Sequence, residues 1–197
     1  VATLGTQYVH FQATTFARLV TGQMDEFAGP EPGANRIEHH LKTVADKTAS
    51  LIAASTRFGG MVAGVAPDVV EALTRFGEAL GTVFQLSDDL LDVVSLTSGK
   101  TQGTDLREGV PTLVTLLIQE NARPADGRLL ELLSGPVAPD DLPEALALVR
   151  ENPAVEEVRA DIARRAGEAR NELECLPDGP ARQTLSALCD LVVTRSE

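Results

Sequence analysis

The stretch FQLSDDLLDVVS, residues 84–95, decides how this chain is read. Phe84, Leu86, Leu90, Leu91, Val93 and Val94 surround three aspartates, Asp88, Asp89 and Asp92. A segment this apolar all round reads as a helix buried on several sides. Asp88 and Asp92 are four residues apart and share one helix face, with Gln85 one turn before them, while Asp89 is rotated by about 100° and borders that face. Three terms disfavour the charges. The carboxylates repel one another. The helix ends a few residues later, where its dipole penalises anions by ~0.3–1 kcal/mol each. Apolar neighbours add desolvation. Two arrangements answer this: the aspartates face water, or they face a cavity and bind a hard divalent cation through oxygen, as Mg²⁺ does with one or two carboxylates, waters and phosphate oxygens.

Working outward, helix formers dominate, aromatics are scarce and Trp is absent. An all-α fold is expected. The 197 residues suit one all-helical domain over 1–197. Residues 3–27 read as a first helix, with Gln12, Phe16, Leu19, Gln23 and Glu26 on one stripe. After AGPEPGAN, Asn35 caps a second helix running to about Gly64, with Ile37, Leu41, Val44, Thr48, Leu51 and Ser55 as its apolar-to-small face. Pro67 and Asp68 open a third, ending near Ser95. The glycine-rich LTSGKTQGTDLREGVPT reads as a loop, and helix resumes at TLVTLLIQEN. Further helices are expected at 126–134, 140–150, 153–173 and 180–194.

The formal net charge of −12 argues against nucleic acid and against an acidic membrane surface. No stretch reaches the ~18 uninterrupted apolar residues of a bilayer span. Cys175 and Cys189 lack metal-ligand spacing and read as small core residues in a reduced, cytoplasmic setting. His10, His39 and His40 have no evident ligand partners and read as structural or surface residues. In PDDLPEAL, Asp141 and Glu144 have capping-box spacing, so those acids need no chemistry. Lys100, one of only three lysines, lies in the glycine-rich loop eight residues after Asp92. It fits either a phosphate contact or a cation near a helix C-terminus.

Taken together, these pieces resemble the trans-isoprenyl (polyprenyl) diphosphate synthase family. FQLSDDLLD resembles its second aspartate-rich motif, FQ-x-x-DD-x-x-D, and GKTQGTDLREGVPTL the segment that follows it. Upstream, DKTASLIAAS resembles the Lys-Thr helix and GQMDE the G-Q-x-x-(D/E) helix, all four in family order. The resemblance implies an isoprenoid-synthase-type helical bundle and a trans-prenyltransferase that condenses isopentenyl diphosphate with an allylic prenyl diphosphate. It implies Mg²⁺ held by Asp88, Asp89 and Asp92. Lys47 and Lys100 would contact the diphosphate. Gln23 and Glu26 would face the same cavity, and Thr48 and Gln85 would line its reactive end. A homodimer is expected. A non-catalytic partner subunit of a heteromeric synthase is the alternative. A terpene cyclase fits poorly, because Asp92 and Leu96 occupy the Ser/Thr and Glu positions of its second metal motif.

The departures are specific. No second DD-x-x-D occurs in the chain, so the sequence reads as the C-terminal portion of a synthase. Val114 stands where many members have Pro, and His40 where many have Tyr.

Overall fold

A computed structural model describes residues 2–95 and 102–195. Among the described residues, ten α-helices, one π-helical turn and short 3₁₀ turns make up the regular structure, and no strand occurs. The centre is α4, Pro67–Val94, with α3 (Ser50–Ala63) and α9 (Ala154–Asn171) as its main neighbours. Pro67 stands in its first turn, where a missing N–H costs nothing. Phe76, Val83, Leu86, Leu90 and Val93 are all but fully buried, which bears out the several-sided burial expected of this helix. Around it lie α1 (Thr6–Ala28), α2 (Arg36–Val44), α5 (Thr104–Glu108), α6 (Leu113–Glu120), α7 (Gly127–Leu132), α8 (Leu142–Arg150) and α10 (Pro180–Arg195). Ser87 fixes α10 by donating to the Val192 carbonyl at 3.1 Å.

The second expected helix forms, with Asn35 accepting a capping bond from the Glu38 N–H at 3.0 Å, but it is not regular. Between α2 and α3 the chain makes one π-helical turn, Ala45–Ala49. The extra residue of a π turn rotates everything beyond it. The expected face therefore holds for Ile37, Leu41 and Val44 and fails afterwards. Leu51 and Ser55 are exposed, and Ala49, Ser50, Ala53 and Ala54 are buried instead.

Two glycines permit this packing. A Cβ on Gly22 of α1 would lie 2.7 Å from the Lys47 backbone nitrogen. One on Gly81 of α4 would lie 2.6 Å from the Ala49 Cα. Both glycines thus hold neighbouring helices against the π turn.

Other expectations need correction. The loop after α4 contains a short helix, α5, and its residues 96–101 lie outside the described residues. Asp141 precedes α8 but makes no side-chain cap. Asp141 and Glu144 instead face Arg128, at 3.5 and 2.8 Å, because a nearby guanidinium competes with the backbone for their oxygens. Cys189 is buried, but Cys175 is exposed in the 3₁₀ turn after α9. Finally, α1 buries only Gly22, leaving Phe16 65%, Met24 66% and Phe27 85% exposed.

Candidate active site

The π turn presents Lys47 and Thr48 to one end of α1 and to the last turns of α4. Lys47 Nζ lies 2.7 and 2.9 Å from the two carboxylate oxygens of Glu26. Gln23 donates to the same carboxylate at 2.7 Å. The Thr48 hydroxyl donates to Gln85 Oε1 at 2.9 Å, and Gln85 Nε2 donates to Asp89 Oδ1 at 2.7 Å. Glu26, Lys47, Thr48, Gln85 and Asp89 all line one cavity of about 360 Å³. An apolar groove lined by Leu19, Val20, Met24, Phe27 and Leu51 opens beside it, with Gln23, Lys47 and Thr48 also in its wall.

Five of the expected residues thus converge on the cavity, and Gln23 borders it. The aspartates divide differently from the expected pattern. Asp89, not Asp88 or Asp92, stands in the cavity wall. The cause is the direction of approach. Thr48 and His40 meet α4 at Gln85 and Asp89, whereas Asp88 turns toward Arg195 of α10, 3.4 Å away. Asp92 serves the next segment: its Oδ2 accepts the Asp105 N–H at 3.1 Å, and its carbonyl accepts the Gly103 N–H at 2.9 Å. Lys100 lies outside the described residues.

The wall also contains charged or titratable residues that the sequence did not assign to the site: Arg36, His39, His40, Asp105 and Glu108. Asp105 and Glu108 belong to the motif-bearing segment after α4 and share a face at i, i+3. His40 lies on α2, seven residues before Lys47 of the π turn, and its one signal in the sequence was that it stands where many members of the family have Tyr.

The electrostatics reflect acids crowded out of water. Burial, reinforced by Asp105 and Asp88, pushes Asp89 up to about 7 against the opposing Gln85 hydrogen bond. Burial, then Asp92 and Glu108, pushes Asp105 up to about 6. Burial pushes His40 down to about 4. Neutral forms are favoured where charge would be poorly solvated. Among the described residues no three acidic, histidine or cysteine side chains converge to hold a metal ion unaided. The donors are hard oxygens, however. Mg²⁺ commonly takes only one or two carboxylates and completes its shell with water and phosphate. The set fits a cation that arrives with a phosphorylated ligand.

The fold is an all-α bundle of the isoprenoid-synthase type. It superposes on a geranylgeranyl pyrophosphate synthase of Corynebacterium glutamicum, solved with calcium and isoprenyl diphosphate, with a TM-score of 0.92 and 37% identity. That match covers 99% of this chain and 62% of the other. A decaprenyl diphosphate synthase of Rhodobacter capsulatus gives a TM-score of 0.86 at 32% identity, covering 100% of this chain and 62% of the other. The chain belongs to the polyprenyl synthetase family, whose model matches residues 2–149. It is 46% identical to a nonaprenyl diphosphate synthase of Mycobacterium tuberculosis over 198 aligned residues, 99% of this chain and 59% of the relative. The chain therefore spans about three-fifths of the length of these relatives. No helix among the described residues is long and apolar enough to cross a membrane.

Proposed function

We propose that this chain supplies the diphosphate-handling wall of a trans-prenyltransferase that joins isopentenyl diphosphate to an allylic prenyl diphosphate. The observation that carries this is the continuity of two surfaces. A cation and a hydroxyl, Lys47 and Thr48, stand where the polar cavity meets the apolar groove of Leu19 and Leu51. A molecule with a charged head and a hydrocarbon tail matches that junction.

In this reading Lys47 exchanges Glu26 for a diphosphate oxygen. Gln23 keeps Glu26 in place during the exchange. Thr48, whose proton is committed to Gln85, presents oxygen lone pairs toward the carbon that becomes positive as the allylic C–O bond breaks. The pair of electrons of that bond leaves with the diphosphate. The double bond of isopentenyl diphosphate then forms the new C–C bond, and the resulting cation loses a proton to the released diphosphate. Excluding water matters here, because the cation would otherwise be captured by it.

A divalent cation, taken to be Mg²⁺, would neutralise the departing diphosphate. Asp88, Asp89 and Asp92 are the proposed donors: Arg195 lies 3.4 Å from one oxygen of Asp88, Gln85 holds one oxygen of Asp89 and the Asp105 N–H one oxygen of Asp92, so each offers its second oxygen to the ion. That the Corynebacterium relative was solved with both calcium and isoprenyl diphosphate supports a divalent ion. Lys100 keeps its proposed diphosphate contact. A homodimer in a reduced cytoplasmic setting completes the reading, and the exposed Phe16, Met24 and Phe27 are apolar surface that assembly could cover.

The test is incorporation of labelled isopentenyl diphosphate by the intact protein, with and without Mg²⁺, across allylic primers of several lengths. Mg²⁺-dependent product is expected. Absence of product with every primer, together with co-purification of a separate active synthase, would establish the partner-subunit role instead.

A further inference from the structure

One side chain of the cavity wall has surroundings that its structural reading does not explain. His40 sits on α2 with its side chain 12% exposed. Its Nε2 is buried and has no hydrogen-bond partner among the described residues. Leaving a buried polar nitrogen unpaired is destabilising, a cost that an apolar residue at this position would avoid. Thr43, one turn further along α2, is the other buried side chain without a partner among the described residues, and it lines the same cavity. The polar character of this wall is therefore not set by packing.

The atom that His40 Nε2 faces is Asp89 Oδ2, 3.9 Å away. Asp89 is the end of a chain of side chains. Its other oxygen accepts from the Gln85 amide, and the Gln85 carbonyl accepts from the Thr48 hydroxyl. Such a chain has a direction. While Asp89 accepts, Gln85 must turn its NH₂ to α4 and its carbonyl to Thr48. Thr48 then has to spend its proton on Gln85 and show lone pairs to the cavity. If Asp89 swings away, the amide is free to flip, and the Thr48 proton is released toward the cavity.

We propose that His40 is a positioning residue that closes this chain on α2, engaging Asp89 Oδ2 so that the polarity of the Gln85 amide and the Thr48 hydroxyl is fixed. A shift of about 1 Å brings the two atoms into hydrogen-bond range. His40 then acts on the reacting carbon only through Asp89, Gln85 and Thr48, and this role rests on the prenyltransferase reading above.

The variants His40→Phe and His40→Gln of the intact protein test it. His40→Phe is expected to keep its helical circular dichroism and its KM for the allylic diphosphate while kcat falls on the order of tenfold. His40→Gln, which can still hydrogen-bond Asp89, is expected to recover most of that loss. Combining His40→Phe with Thr48→Val should add little to Thr48→Val alone, because both break one chain. By NMR, the Gln85 side-chain amide signals should shift in His40→Phe and return toward wild type in His40→Gln. An unchanged kcat in His40→Phe, a rise in KM alone, or fully additive losses would overturn the proposal. If the wild-type protein shows no turnover, the prenyltransferase reading fails, and the amide signals still decide the His40 contact: no movement in His40→Phe rejects it.

Discussion

Lys47 grips both oxygens of Glu26, at 2.7 and 2.9 Å, and neither partner is fully buried. A half-exposed pair of this kind contributes about 0–1 kcal/mol to stability. Its value lies in parking a cation that a diphosphate can claim. Lys47→Met should therefore weaken binding of inorganic diphosphate in the presence of Mg²⁺ at least tenfold, while unfolding free energy changes by less than about 1 kcal/mol. Calorimetry and a urea melt measure the two quantities. A large loss of stability with intact diphosphate binding would make Lys47 a structural residue.

The aspartates should separate by function. Asp88 is the outward one, 40% exposed and 3.4 Å from Arg195, whereas Asp89 is tied to Gln85. Asp88→Asn should reduce Mg²⁺ affinity in the presence of inorganic diphosphate and cut turnover strongly, with near-normal helical circular dichroism. Asp89→Asn should cost less metal affinity. Equal affinity losses for the two variants would contradict this division.

The acids and the histidine of the cavity pull the pH dependence of stability in opposite directions. Asp89 is raised from 3.8 to about 7, so the folded chain holds a proton that the unfolded chain has already released. Its contribution is greatest below about pH 4 and is lost as pH rises through about 7. Asp105, raised to about 6, acts in the same sense over a narrower window. His40 is lowered from 6.5 to about 4 and stays neutral where the unfolded chain would bind a proton. Its contribution is full above about 6.5 and is lost as pH falls through about 4. In metal-free buffer, His40→Gln should make stability fall more steeply between about pH 4 and 6.5, and Asp89→Asn should tilt it the other way. Thermal melts in EDTA across that range read the slopes directly.

Much of this was legible in residues 84–95. Burial of α4 on several sides follows from its apolar composition, and the Pro, Gly and Asn punctuation places α1, α4 and the two ends of the helical stretch formed by α2, the π turn and α3 to within a few residues. The order of Gln23, Lys47, Thr48 and Gln85 along the chain also anticipates their convergence. What was not legible depends on packing. A π turn leaves no mark in a periodicity count, so the exposure of Leu51 could not be foreseen. The choice of Asp89 over Asp88 as the wall residue depends on which helix approaches α4 from which side. His40 looked inert because its significance comes from what it faces across space, and Arg128 overrode a capping pattern that was locally sound.

The last prediction links the packing to the chemistry. Gly81 lies on α4 against Ala49, the final residue of the π turn, and an added Cβ would come within 2.6 Å of the Ala49 Cα. That neighbour is backbone and has no flexible end to give way, so one of the two helices must move. Inserting carbon into a packed contact typically costs 1–3 kcal/mol. The displaced segment is the one that aims Lys47 and Thr48. Gly81→Ala should therefore lower stability by about that amount and reduce turnover by more than the folded fraction explains. Ala72 is a buried alanine on the same helix, away from the π turn. A volume change there, Ala72→Gly, should reduce stability without the extra loss of turnover. Turnover per folded molecule, measured for both variants below their melting temperatures, separates the two effects. Equal turnover per folded molecule in Gly81→Ala and wild type would mean that the π turn tolerates displacement and that its geometry does not set the position of the Thr48 hydroxyl.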